Sequence, residues 1–189
     1  MALSFDDGPH PEHTPVVLEI LKKHNIKAGF FLVGEMIKQE PGLAERINAD
    51  NHIIGNHSYT HTKKFTLRKT KAVIDELKQN EELIKEITGK KVGFFRPPFG
   101  VTNPNIAAAA RFLDYKVIGW SIRSLDTMGK PDEKIIKRVV ARFKPGSLIL
   151  LHDTHEGIGN ILEGIIEAAK EQNYSFVRPD ELLKLEAYK

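Results

Sequence analysis

With 189 residues, 41% of them hydrophobic and 28% charged, the chain has the size and composition of one globular domain whose core needs no staples. It contains no cysteine, which excludes disulfides and thiolate metal sites and leaves His, Asp and Glu as candidate metal ligands. A net charge of +3 makes it only mildly basic, and the one dense cluster, Lys63, Lys64, Arg68, Lys69 and Lys71, reads as a solvated loop and helix start rather than a nucleic-acid surface.

Short apolar runs alternate with amphipathic stretches along the chain, the pattern of repeated βα units around a mainly parallel sheet. The opening residues, Ala2–Phe5, read directly as a strand, so no signal peptide is visible. Thr14 and Pro15 look like a cap and first position for a helix with Val17, Leu18 and Leu21 on its inner face. Strands are expected at Ala28–Val33 and His52–Gly55. A long helix follows, carrying Val73, Ile74, Leu77, Ile84 and Ile87 and stopped by Gly89.

A fourth strand is expected at Gly93–Phe95, a helix opened by Asn103-Pro104, and a fifth strand at Lys116–Trp120. Asp132 can cap a helix containing Ile135, Ile136, Val139 and Val140. Leu148–Leu151 reads as a sixth strand, Ile161, Ile165 and Ile166 as the inner face of a helix, Ser175–Val177 as a seventh strand, and Pro179 as the start of a short final helix. No apolar run approaches the roughly 20 residues of a membrane span. The expectation is one α/β domain over residues 1–189, a distorted, TIM-barrel-like (β/α) barrel of about seven parallel strands.

Polar residues follow the predicted strand ends: Asp6-Asp7 after the first, His57 and His61 after the third, Arg96 after the fourth, Asp126 after the fifth, and His152-Asp153 after the sixth. In parallel βα folds these ends share one face, and a barrel brings them closer than an open sheet can. Each group alone has an ordinary structural reading. Asp-Gly and Gly-Pro make turns, Arg96 can bridge to a carboxylate, and a single buried histidine is commonly just hydrogen-bonded. Five such groups on one face argue for a site. His57 and His61, four apart on an expected helical turn, would project from one side as two ligands of one metal. Asp6 and Asp7 point to opposite sides of the chain and so can divide ligation and proton transfer between them. Asp126 can hold the imidazole of His152, as an acid–base histidine requires.

These motifs, Ser4-Phe5-Asp6-Asp7-Gly8-Pro9, His57-Ser58-Tyr59-Thr60-His61, Arg96-Pro97-Pro98-Phe99-Gly100, Trp120 to Asp126, and Leu150-Leu151-His152-Asp153, occur in that order. In this the chain resembles the polysaccharide deacetylases of the NodB-homology type, carbohydrate esterase family 4, from Ser4 to about His155. The resemblance implies that Asp7, His57 and His61 hold one divalent metal, usually Zn2+, with Co2+, Ni2+ or Mn2+ as alternatives. It implies Asp6 as general base, His152 as general acid, Arg96 as the residue that orients Asp6, and Asp126 as the partner of His152. The Phe99 N–H would bind the oxyanion and Leu150 would line the acetyl pocket, with Trp120 and Pro98 also on the substrate side.

The implied activity is removal of N-acetyl groups from an N-acetylhexosamine glycan such as peptidoglycan or chitin. An O-acetyl esterase on a glycan such as xylan, or a silent carbohydrate-binding relative, is the alternative. An extracytoplasmic or cell-wall location, an acetylated glycan as partner and no nucleic acid go with it. Three positions depart from the family pattern: Phe99 stands where Tyr is frequent, Arg123 where Asp is frequent, and Thr127 where Trp is frequent. The last two are expected to line the substrate groove. His10, His13 and His155 read as loop histidines, His24 and His52 as structural ones, and Tyr59 as a residue that either packs or flanks the groove.

Overall fold

A computed structural model describes residues 1–189. Seven strands form one all-parallel sheet: β1 (Ala2–Asp6), β2 (Gly29–Leu32), β3 (Ile53–Asn56), β4 (Phe94–Phe95), β5 (Lys116–Val117), β6 (Ile122–Arg123) and β7 (Leu148–His152). Their spatial order is β5-β4-β3-β2-β1-β7-β6. Followed around a circle from β6, that order runs 6-7-1-2-3-4-5 without reversal. A doubly wound sheet would reverse at a switch point. The sheet is therefore a singly wound, curled barrel, open between β5 and β6, and the barrel expectation holds.

The helices are α1 (His13–Lys23), α2 (Gly34–Gln39), α3 (Pro41–Ala49), α4 (Thr70–Thr88), α5 (Pro104–Phe112), α6 (Asp132–Val140), α7 (Ile158–Glu171) and α8 (Pro179–Leu183). None is long and apolar enough to cross a membrane. Period-two alternation sorts the strand residues. Leu3, Phe5, Phe30, Leu32, Ile54, Phe95, Ile149 and Leu151 face the helices and join a core cluster of 34 buried residues that includes Val17, Leu18 and Leu21 of α1 and Ile161 and Ile165 of α7. The opposite faces point inward. Ala2, Phe31, Ile53, Phe94 and Leu148 meet Ile118 and Ala187 in a second cluster of 7 inside the curl. Above this plug, towards the C-terminal strand ends, the inner residues turn polar: Ser4 and Asp6 on β1, Arg96 after β4, and His152 at the end of β7.

Several sequence expectations are corrected. Ser175–Val177 is not a strand; it exchanges hydrogen bonds with Met1 alone, from the N-terminal ammonium to the Ser175 carbonyl (2.7 Å) and from Val177 N–H to the Met1 carbonyl (2.9 Å). The seventh strand is instead β6, whose two residues are too few to show alternation. The expected strand Lys116–Trp120 ends early because Arg96 claims the carbonyls of Ile118 (3.0 Å) and Gly119 (2.8 Å). Thr14 lies within α1 rather than capping it. Its hydroxyl accepts the His10 N–H (2.7 Å) and donates to Asp153 (2.5 Å). Asp132 is the first residue of α6 rather than its cap. The β2–β3 crossover, where periodicity named no helix, holds α2 and α3, separated at Glu40-Pro41.

Candidate active site

Register places the site. Asp6 on β1 pairs with His152 on β7, and Ser4 pairs with Leu150, so four inward side chains stand in two adjacent rows. β3 delivers His57, and the loop after β4 delivers Phe99. A cavity of about 250 Å³ opens between them, lined by Asp6, Asp7, His57, His61, Leu150 and His152, with Phe99, Gly100, Trp120, Arg123 and Thr127 towards its mouth.

The two histidines do not sit on a helical turn. His57–His61 is an irregular loop in which Ser58 (φ 67°) and His61 (φ 48°) adopt left-handed backbone. Buried hydrogen bonds impose that shape. Asn56 Oδ1 accepts the Ser58 N–H (2.9 Å), and Asn80 Nδ2 on α4 donates to the Ser58 carbonyl (2.9 Å). Glu76, also on α4 and buried, accepts the Tyr59 N–H (3.2 Å) and the Thr60 N–H (3.1 Å). Its other oxygen takes the Thr60 hydroxyl (2.9 Å) and Arg68 (2.8 Å). The outcome is still two imidazoles converging on one point. Tyr59 packs over Gly34, where a Cβ would meet its ring at 2.4 Å, and does not flank the cavity.

The donor set of Asp7, His57 and His61 fits a divalent cation. One ligand atom from each lies within 4.8 Å of the others. The Arg96 carbonyl is 2.7 Å from His57 Nδ1 and can only accept, so Nδ1 carries the proton and the Nε2 lone pair faces inward. That lone pair meets Asp7 Oδ1 at 3.3 Å, as does His61 Nε2. Asp7 Oδ1 is buried and has no hydrogen-bond partner. Acceptors aimed at one another in a buried site call for a cation between them. Burial would raise the Asp7 pKa, but the proximity of His57, and then of His61 and His152, outweighs it and brings it down to about 2, so the carboxylate is ionised and suited to a cation. For His61, burial and then His57 lower the pKa, which favours the neutral, ligating imidazole.

Next to this cluster stands Asp6, its Oδ2 at 3.8 Å from His57 Nε2. Arg96 fixes it by a 2.6 Å charged hydrogen bond to Oδ1. The guanidinium is fully buried and gives three further donors to Ser4 Oγ (3.0 Å) and the Ile118 and Gly119 carbonyls. Its Cζ lies 4.0 Å from the centroid of the Phe31 ring. Gly55 makes room for that ring, since a Cβ there would sit 2.5 Å from Phe31. Ser4 and Phe31 are support residues that strand alternation places on the Arg96 side; Glu76 and Asn80 give no signal within their own helix.

One strand over from Asp6, His152 Nδ1 lies 2.7 Å from Asp126 Oδ1, and Asp126 Oδ2 accepts the His152 backbone N–H at 2.8 Å. Burial lowers the His152 pKa, but Asp126 outweighs it and the net shift is upward. Phe99, at φ 60°, turns its N–H free of any acceptor in the chain, and its ring lies 4.7 Å from His61. Gly100 admits Trp120 to the wall, since a Cβ there would meet its ring at 2.2 Å. Pro98 is buried behind the cavity and does not line it. Arg123 and Thr127 line the mouth, as expected. His10 and His13 stack on each other (4.3 Å) away from the cavity, His24 pairs with Glu163 (2.7 Å), and His52 is buried.

Known proteins resemble this chain. The sequence profile of the polysaccharide deacetylase family matches residues 1–118. The chain is 34% identical over 96% of its length to a peptidoglycan-N-acetylglucosamine deacetylase of Listeria monocytogenes, of which it spans 38%. It is 32% identical to a peptidoglycan-N-acetylmuramic acid deacetylase of Bacillus subtilis, covering 96% of this chain and 70% of that one. Among solved structures, a peptidoglycan N-acetylglucosamine deacetylase in complex with 4-naphthalen-1-yl-N-oxidanyl-benzamide superposes with a TM-score of 0.92 at 31% identity, over 100% of this chain and 89% of that one.

Proposed function

The chain belongs to the polysaccharide deacetylase family, and we propose that it is an amide hydrolase that removes acetyl groups from N-acetylhexosamine residues of a peptidoglycan- or chitin-like glycan. The observation that carries this reading is the pairing of Asp6 with His152 across β1 and β7, each with its own oppositely charged partner, beside the Asp7, His57 and His61 cluster. A divalent ion held by those three would act as a Lewis acid on the acetyl carbonyl and make water more acidic.

Asp6 takes the proton from the attacking water at Oδ2, the oxygen that Arg96 leaves free. The Phe99 N–H faces the oxyanion that forms as the carbonyl carbon becomes tetrahedral. The acetyl methyl packs on Leu150. His152 then gives its Nε2 proton to the amide nitrogen as the C–N bond breaks, so acetate and a free amine leave. An ester's alkoxide asks less of a general acid than an amine does. The His152–Asp126 pair therefore supports the amide over the O-acetyl reading. A cell-wall glycan as substrate would place the protein outside the cytoplasm.

The test is acetate release from the N-acetylglucosamine tetramer and from O-acetylated xylan, with chelator and metal add-back. The tetramer should be deacetylated, the chelator should abolish turnover, and Asp6→Asn should lower kcat at least about 10²-fold. Release from the ester alone, or undiminished turnover by Asp6→Asn, would overturn the assignment.

A further inference from the structure

Arg123 is the one lining residue whose charge the protein leaves unanswered. It stands on β6 in register with Leu150 on β7, so both side chains rise from the same inner row, one strand apart. Ile122, its neighbour, faces outward into the helix-packed core, which fixes the alternation and sends Arg123 to the cavity side. The side chain is exposed at the mouth, with its guanidinium 5.7 Å from the Trp120 ring centroid and in no hydrogen bond to the rest of the chain, while its backbone carbonyl accepts from Arg138 Nε (3.0 Å). No carboxylate of the chain pairs with it. Asp6 is taken by Arg96 at 2.6 Å, and Asp7 is engaged by His57 and His61 at 3.3 Å each. A planar cation with free donors, stacked beside an aromatic wall, is built for bidentate recognition of an oxyanion.

We propose that Arg123 is a specificity-determining residue that binds a carboxylate carried by the glycan on, or next to, the sugar being deacetylated. The proposal rests on the deacetylase reading above and names its substrate class: acidic rather than neutral N-acetylhexosamine glycans. The geometry sets where the acid lies. With the acetyl methyl on Leu150, Arg123 is one strand spacing away, so the carboxylate must hang from a position close to the acetamido carbon. The lactyl ether on the adjacent C3 of N-acetylmuramic acid meets that requirement; a chitin chain offers no charge there.

The experiment compares three matched tetrasaccharides: peptide-free glycan of alternating N-acetylglucosamine and N-acetylmuramic acid, the same glycan with its carboxylates reduced to alcohols, and the neutral N-acetylglucosamine tetramer. The wild type should prefer the acidic glycan over its reduced form by roughly tenfold in kcat/KM, a preference weakened by salt. Arg123→Gln should bring that ratio close to one, Arg123→Lys should restore part of it, and Arg123→Glu should invert it, with melting temperatures confirming that each variant folds. Equal kcat/KM on acidic and reduced glycans by the wild type, or a ratio untouched by Arg123→Gln, would overturn the proposal while leaving deacetylation intact. Failure to release acetate from any of the three would instead count against the deacetylase reading.

Discussion

In the proposed reaction His152 is the proton donor, in a pocket whose burial disfavours a charged imidazole, and Asp126 is what reconciles the two. Both carboxylate oxygens are committed, one to Nδ1 (2.7 Å) and one to the backbone N–H (2.8 Å) of the same residue, so ring and main chain are fixed together. Asp126 itself is fully buried, and burial would raise its pKa, but the His152 hydrogen bond and charge bring it below the usual carboxylate range. For the histidine the sign runs the other way: the partner raises its pKa, so the protonated acid persists to higher pH. Asp126→Asn keeps the size and one acceptor but removes the charge. The alkaline limb of the kcat profile should then move to lower pH, with kcat at pH 8 falling about 10²-fold. A pH–rate profile with an unmoved alkaline limb would show that His152 is not the acid. This pair was readable in the sequence because one residue ends an apolar strand and the other follows an aromatic by a short interval. The same holds for Asp6 and Arg96, whose positions follow from strand ends alone.

At the scale of elements, legibility depended on whether a segment's shape is set locally. β1, β2, β3 and β7 are buried on both faces and stand out as continuous runs of four or five residues, and α4 announces its end with Gly89 in left-handed conformation (φ 69°). β6 has two residues and no period. The ligand loop is the instructive case. His57 and His61 suggest a helical turn by their spacing, yet distant groups on α4 override it, because Glu76 and Asn80 take the backbone polar groups that a helix would have used itself. The two imidazoles converge anyway, by a route that spacing does not disclose. Removal of the Glu76 carboxylate should therefore loosen the site without touching a ligand. Glu76→Ala leaves the Tyr59 and Thr60 N–H groups and Arg68 without their acceptor, and divalent-metal affinity should drop about 10–100-fold in a competition titration against a chromogenic chelator. Glu76→Gln, which retains one carbonyl oxygen, should fall between. Unchanged metal affinity in Glu76→Ala would mean that the loop holds its shape by Asn56 and Asn80 alone.

For the molecule as a whole, the barrel succeeds because the inner face changes character along the strands: apolar plug below, charged and hydrogen-bonded side chains above. Its gap between β5 and β6 lies beside Trp120 and Arg123, so the wall that departs most from the family pattern is also the least constrained by strand pairing. Stability should carry its own pH signature, from a residue far from the catalytic end. His52, 4% exposed, enters β3 with its Nδ1 accepting the Ala28 N–H (3.1 Å) and its ring edge-on to Phe30 at 5.3 Å. Burial first, and then Lys27, lower its pKa from about 6.5 to about 4, against a smaller opposing effect of Asp50. Because the folded value lies below the unfolded one, the unfolded chain takes up the proton first. The contribution is complete above pH 6.5, declines as pH falls from there, and is lost below pH 4, a span worth about 3 kcal/mol. Asn in place of His52 can accept the same N–H and does not titrate. In urea unfolding followed from pH 7 to pH 4, the wild type should lose that amount relative to His52→Asn, whatever constant offset the substitution introduces. Parallel stability curves for the two proteins would show that His52 takes up its proton equally in the folded and unfolded chain, and that the buried acceptor geometry at Ala28 does not govern the acid stability of the barrel.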